Sequence, residues 1–468
     1  MNNEIGHASK NSESDPLEAT AVKNYSTKRL LRFAFPSLVG VLLFLTPFII
    51  DGKFTVIIAY LISSLNAYFK AYMLPISLML TITSAVLSVI VPMTPLLEKS
   101  KNRFIQLFNP GAIWILIRVL GAISIIMIYL NIGPEWIWDR KTGGVMLLDV
   151  APVLLILYFL SAIFLPLLTN YGLMEFIGTL LNKRFKRIFN LPGFAAVDAL
   201  ASWLSASSVG MILTIQQYRT GLYTKREAAM ITTNFSVVSI AFAYVMLSFI
   251  KLEHLFIQWY ISVVITGIIC AIIVPKLPPL KKIPNDVFTN APVTPRDEIN
   301  IDGNPFKFAL RKGIERADCA PSIWTQLKDG IHTASDVAIT VFPTLMLIGV
   351  GGLALIEYTN VIQFLSIPLI PLLNLLQLPE ASLAATAILS GVIEILMPSI
   401  LGAHIESELT RFVVAGVAIN EIIFLSEVAI ILIRANIGLN LLNLLAIWCL
   451  RLLIALPILT LLGNIFVP

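Results

Sequence analysis

The chain has 468 residues, of which 57% are hydrophobic and only 13% charged. A soluble domain carries about 25% charged residues, so a soluble globular enzyme, a disordered chain and a coiled coil are all excluded. The apolar runs are long and continuous rather than alternating in short segments, which argues against an outer-membrane barrel and leaves an all-α, polytopic helical membrane protein. The net charge of +5 is what basic cytoplasmic loops supply, so no nucleic-acid partner is read from it. Cys270, Cys319 and Cys449 are scattered, as are His7, His254, His332 and His404. They give no disulfide framework and no metal spacing.

Residues 1–29 are polar and lack an apolar segment of the signal-peptide kind, and read as a cytoplasmic tail. Lys28, Arg29 and Arg32 abut the first apolar run, which places the N-terminus in the cytoplasm. Apolar segments follow at 30–50, 54–69, 72–95, 110–131, 147–169, 192–217, 228–250, 255–275, 331–356, 360–378, 380–402, 411–433 and 439–466. A straight span needs about 20 residues, so 54–69 and 360–378 are short enough to re-enter or lie in the interface. The basic stretch Glu98 to Arg103 reads as cytoplasmic, the Trp136 and Trp138 loop as external, and the basic stretch Asn182 to Arg187 as cytoplasmic again. Residues 276–330 form a Pro-rich cytoplasmic linker. Within it, Phe306 to Arg316 alternates apolar and basic residues as an amphipathic helix does, either interfacial or solvated.

The linker separates two stretches that resemble each other. Leu191-Pro and Leu378-Pro each open a segment rich in small and hydroxyl residues. Asn234 follows the first by 43 positions and Asn420 follows the second by 42. The loops of the first copy carry Lys183, Arg184, Lys186, Arg187, Arg219, Lys225 and Arg226. The matching loops of the second carry Glu357, Glu380, Glu406 and Glu408, with one Arg411. Related halves whose loops carry opposite charge are expected of inverted repeats, with a solute site near the midplane at broken helices. The organisation is then a tail (1–29), N-terminal helices (30–146), a first repeat (147–275), the linker (276–330) and a second repeat (331–468). With 192–217 and 380–402 as re-entrant hairpins, about nine crossings remain, and the C-terminus lies outside.

Ionisable groups at membrane depth are costly and mark candidate sites. Asp198 stands in LPGFAAVDALASWLSASS, beside Ser202 and Ser205. Asn234, Ser236 and Ser239 cluster in an otherwise apolar segment. Spacings of three and four put Ser236, Ser239 and Ala243 on one helix face. The second copy carries Glu394 in its hairpin, then Asn420, Glu421, Glu427 and Arg434, with Asn420, Glu427 and Arg434 at heptad spacing. Solute binding is assigned to Asp198, Ser202, Ser205, Asn234, Ser236, Ser239, Glu394, Asn420 and Glu421. Coupling to H⁺ or Na⁺ falls to Asp198, Glu394 and Glu427. Asp336 reads as a helix-start or interface residue, and Arg118 and Arg451 as snorkelling cations.

The stretches LPGFAAVDALASWLSASS and QQYRTGLYTKREAAMITTNFSVVSIAF resemble the YjiH-like family of bacterial Gate-domain (nucleoside-recognition) membrane proteins. The resemblance extends over most of the chain after residue 30. Asn234-Phe-Ser236 also looks like the Asn-Phe-Ser element of concentrative nucleoside transporters, whose Asn and a Ser three residues later contact the nucleoside. Here the later position is Val237, and the transporters' Gln-Thr-Glu run is absent. The resemblance implies a bacterial inner-membrane, multi-pass transporter of a small polar, nucleoside-like solute, without a cofactor. The competing reading is a non-transporting Gate scaffold for assembly or signalling, acting as a homo-oligomer or beside a second membrane subunit. No His–carboxylate pair, Ser–Lys dyad or P-loop supports an enzyme.

Overall fold

The computed structural model describes residues 26–44, 46–50, 53–94, 105, 107–109, 111–193, 195–196, 199–200, 207–219, 221–288, 304–425 and 428–467. It is a helical membrane protein. Among the described residues, six helices are long and apolar enough to cross a bilayer. Helix α1 (Thr27–Phe44) leads into a hairpin in which β1 (Pro47–Ile50) pairs antiparallel with β2 (Lys53–Val56). The intervening Asp-Gly dipeptide of the sequence is a favoured hairpin turn pair. The apolar segment 54–69, left open between re-entering and lying in the interface, therefore starts as a strand. Its remainder fuses with 72–95 into α2 (Ile57–Ile90), a single helix of 34 residues. Pro75 inside α2 does not end it. At about 1.5 Å per residue, α2 exceeds the roughly 30 Å hydrocarbon thickness.

Helix α3 (Ala112–Leu130) ends at Asn131, whose left-handed φ of 53° suits asparagine. The apolar stretch Glu135–Thr169 passes through π-helical turns before α4 (Ala151–Phe164). The stretch 182–187, expected as a loop, is the last part of α5 (Leu173–Phe189). Its lysines and arginines sit where a helix C-terminus favours cations.

Helices α6 (Ser207–Arg219), α7 (Lys225–Asn234), α8 (Ile240–Phe249) and α9 (Phe256–Ile273) complete the segment before the linker. The linker contains α10 (Pro305–Asp318), followed by α11 (Ile323–Tyr358). Asp336 lies well inside α11, not at its start. The stretch 361–375 is Pro-interrupted helical turns. After it come α12 (Ala381–Ser390), α13 (Met397–Gly402), α14 (Glu408–Glu421), α15 (Val428–Arg434) and α16 (Leu441–Phe466).

Helices α2, α3, α4 and α11 pack as one bundle. Gly121 lets α3 approach α11 so closely that a Cβ there would lie 2.1 Å from the Pro343 carbonyl oxygen. Arg118 is buried in this bundle, donating to Ser88 Oγ at 2.7 Å and to the Leu107 carbonyl at 3.0 Å. It does not snorkel, because hydrogen-bond partners satisfy it in place. A second group is α9, α14 and α16, where the Trp259 indole N–H donates to the Phe412 carbonyl at 3.1 Å.

Helix α10 is docked rather than free. It buries Ala309, Gly313, Ile314 and Ala317 and packs on α1 and α5. Phe176 of α5 meets Phe33 and Phe306, with ring centroids 5.8 and 5.5 Å apart. Arg29 pairs with Asp318, Arg32 donates to the Ala320 carbonyl at 2.7 Å, and Arg316 stands 3.3 Å from Glu175. Burial raises the Glu175 carboxyl above the usual carboxylate range, and the Arg316 charge opposes this only in part.

Candidate functional site

Two helices break where the polar residues stand. Helix α7 starts with a capping box: Thr224 Oγ1 accepts from Glu227 N–H at 3.2 Å, and Glu227 accepts from Thr224 N–H at 2.7 Å. It ends at Asn234. Residues 236–238 have no regular secondary structure, and Ser239, with extended backbone, caps α8 by accepting from Phe242 N–H at 3.3 Å. The expected face of Ser236, Ser239 and Ala243 therefore does not exist as one helix face. Ser236 lies in the break and Ser239 is a cap. Hydroxyl side chains compete for backbone groups and favour such caps over helix interiors.

The second break follows the same pattern. Helix α14 is capped by Ser407, whose hydroxyl accepts from Thr410 N–H at 3.2 Å. The Glu380 carboxylate accepts from the N–H groups of Glu406 and Ser407 at 3.0 and 2.9 Å. The helix stops at Glu421. Ile422 takes φ 60° and ψ −38°, and Ile423 N–H donates to the Glu421 carbonyl at 2.6 Å, a γ-turn about a β-branched residue. Such a conformation costs about 1–3 kcal/mol and persists only where surroundings enforce it. Leu425 N–H donates at 2.8 Å to the Val392 carbonyl, in the turn that separates α12 from α13. The break after Glu421 thus lies against the break in the second hairpin. The expected heptad line of Asn420, Glu427 and Arg434 does not run along one helix, because residues 422–425 are not helical.

Arg451 of α16 joins the two breaks. It is fully buried, and its Nη1 donates to Asn234 Oδ1 at 2.9 Å. Its Nε donates to the Asn420 carbonyl. Snorkelling is ruled out by position, since Arg451 lies ten residues into a 26-residue helix. Ten residues are about 15 Å, beyond the reach of a side chain to either end. The Asn234 amide nitrogen donates to the Met230 carbonyl at 3.0 Å, and that of Asn420 to the Gly416 carbonyl at 2.9 Å. Both amides are thereby fixed in orientation.

Around this node stand buried polar atoms without hydrogen-bond partners among the described residues. They are both carboxylate oxygens of Glu421, Nη2 of Arg451, Nε1 of Trp448 and Oγ of Ser236. Trp448 and Arg451 both lie within interaction range of Glu421, although neither meets hydrogen-bond geometry with it. Gly391 closes one side, and a Cβ there would be 2.5 Å from Glu421 Oε2.

The structure thus brings Asn234, Asn420 and Glu421 to one node, and Ser236 lies two residues past Asn234. Ser239 lies three residues beyond Ser236, as the cap of α8. Glu394 is buried in the hairpin turn, three residues past Gly391. Asp198, Ser202, Ser205 and Glu427 lie outside the described residues. Arg451 and Trp448 were missed as site residues. The signal was a lone arginine at the centre of an apolar run, too deep to reach the interface.

A multi-pass helical membrane protein with paired helix breaks at a buried polar node is the class that this architecture defines. Residues 149–253 match the Gate family, described as nucleoside recognition. An uncharacterized protein of Alkalihalophilus pseudofirmus is 37% identical over 446 residues, which cover 94% of this chain and 96% of that protein. No solved structure matches the chain. The chain belongs to the Gate-domain, nucleoside-recognition family of membrane proteins. The matched segment holds Asn234 and Ser236, whereas Asn420, Glu421, Trp448 and Arg451 lie beyond it.

Proposed function

We propose that the protein is a secondary-active transporter of a small polar, nucleoside-like metabolite. The observation that carries this reading is the Arg451 bridge between Asn234 and Asn420, set at two helix breaks in the apolar interior. Broken helices free backbone donors and acceptors, and buried unpartnered side chains add more. Such groups are costly in an apolar interior unless a polar ligand meets them.

In this reading residues 147–275 and 331–468 are inverted repeats in a bacterial inner membrane. The N-terminus is cytoplasmic. Alternating access moves one repeat element against the rest. Solute binding is further assigned to Asp198, Ser202, Ser205, Ser239 and Glu394. Asp198, Glu394 and Glu427 couple movement to H⁺ or Na⁺. The docking of α10 on α1 and α5 takes up its apolar face, which disfavours the alternative of a scaffold using the linker as its partner surface.

Uptake in inverted membrane vesicles tests the reading. Asn234→Ala, Asp198→Asn and Glu394→Gln are each expected to reduce solute movement at least tenfold. Unchanged movement of every solute in all three variants would overturn the assigned site.

A further inference from the structure

The unpartnered atoms at the node carry complementary chemistry. Arg451 Nη2 and Trp448 Nε1 are donors only, and the Glu421 oxygens are acceptors when ionised. Trp448 and Arg451 are three residues apart and share one face of α16. Glu421 follows Asn420, whose carbonyl Arg451 holds, and both Arg451 and Trp448 lie within interaction range of Glu421. Each residue is more than nine-tenths buried. When a ligand donor holds Glu421 ionised, the guanidinium and the carboxylate lie within electrostatic reach and balance each other. A ligand of net charge would leave one uncompensated charge in an apolar interior, which is strongly unfavourable.

Resting on the reading of this node as a solute site, we propose that Arg451, Trp448 and Glu421 select a net-neutral solute. Its oxygen acceptor meets the guanidinium and indole N–H groups, and its N–H donor meets the carboxylate. An ammonium–carboxylate zwitterion offers this chemistry, as does the amide edge of an uncharged nucleobase. Ser236 Oγ supplies a further hydrogen bond to the same molecule.

Thermal-shift titration of the purified full chain tests this with L-alanine, alanyl-alanine, uridine, guanosine, lactate and putrescine as probes. A ligand that binds the folded state raises its apparent stability. Stabilisation by the amino acid and dipeptide, or by the nucleosides, supports the proposal and tells the two sources apart. Glu421→Gln is expected to weaken the neutral probe at least tenfold and to gain lactate binding, since the arginine charge is then unbalanced. Arg451→Gln is expected to do the reverse and favour putrescine. A merely structural role would not swap charge preference. Trp448→Phe, which keeps the ring and removes the N–H, is expected to weaken binding several-fold with an unchanged size-exclusion profile, so the test survives a misfolded charge variant.

Binding of lactate or putrescine alone by the unmodified protein overturns net-neutral selection and leaves the transporter reading standing. So does neutral-probe affinity within twofold of the unmodified protein in all three variants. No stabilisation by any probe overturns both readings.

Discussion

Arg451 concentrates more of the molecule's logic than any other residue. It holds the side chain that ends α7 and a carbonyl near the end of α14, inside a helix with no other charged residue. Removing it leaves two buried acceptors, Asn234 Oδ1 and the Asn420 carbonyl, without their donor. Loss of one partner from such a buried network costs about 3–5 kcal/mol. Arg451→Leu is therefore expected to lower the unfolding midpoint in detergent markedly, whereas Arg451→Lys, which keeps the charge but loses the fork, is expected to fall between. Equal midpoints for the unmodified and leucine proteins would contradict the bridge. Gly391→Ala is a finer probe, because its Cβ would meet Glu421 Oε2 at 2.5 Å. It is expected to cut solute binding about tenfold while the protein still purifies as a monodisperse species.

Helix breaks and helix docking set the next scale. The composition and hydropathy of the chain located most apolar segments, and the second Leu-Pro motif stands just before α12, whereas most of the segment after the first lies outside the described residues. Within Asn234-Phe-Ser236 and Asn420-Glu-Ile-Ile423 there is no proline or glycine, so nothing local announced that both helices stop there. Tertiary contacts impose those breaks: the Arg451 bridge for both, and the Leu425–Val392 hydrogen bond for the second. The fusion of 54–69 with 72–95 was hidden for a related reason, since the polar residues Asn66 and Lys70 resemble a loop but lie within α2.

Docking of α10 gives a test of its own. Gly172 has φ 88°, and a Cβ there would lie 2.0 Å from the Gly313 carbonyl oxygen. Backbone cannot yield as a flexible side chain does, so Gly172→Ala is expected to cost more than about 2 kcal/mol and to expose α10 to limited proteolysis. The Glu175 contribution has a definite sign. The folded state holds the proton more tightly than the unfolded chain. Its contribution to stability is therefore full below the ordinary carboxylate range and is lost as pH rises through the raised value. Glu175→Gln is expected to flatten that part of the stability profile, and an unchanged slope would contradict the buried carboxyl.

At the scale of the whole molecule, membrane character was legible from scarce charge alone, and the orientation proposal from where that charge falls. The native cysteines test the orientation without new mutations. Cys319, which caps α10, and Cys449 are exposed, whereas Cys270 is buried, and of the three only Cys319 lies outside the candidate membrane spans. A membrane-impermeant maleimide is expected to label Cys319 in inside-out vesicles and not in right-side-out ones. The opposite pattern would reverse the proposed topology.

What the sequence could not show is how the ends of α7 and α14 meet. Asn234 and Asn420 were each visible as odd polar residues, but their union through Arg451 depends on a third helix from the far end of the chain. The central claim is that this union is where a solute binds and crosses. Its most direct test is accumulation of the neutral probes in proteoliposomes under an imposed H⁺ or Na⁺ gradient, for the unmodified protein and for Asn234→Ala and Arg451→Lys. The account requires gradient-driven accumulation by the unmodified protein and at least a tenfold loss in both variants. Accumulation that is equal in all three, or absent in the unmodified protein, would contradict it.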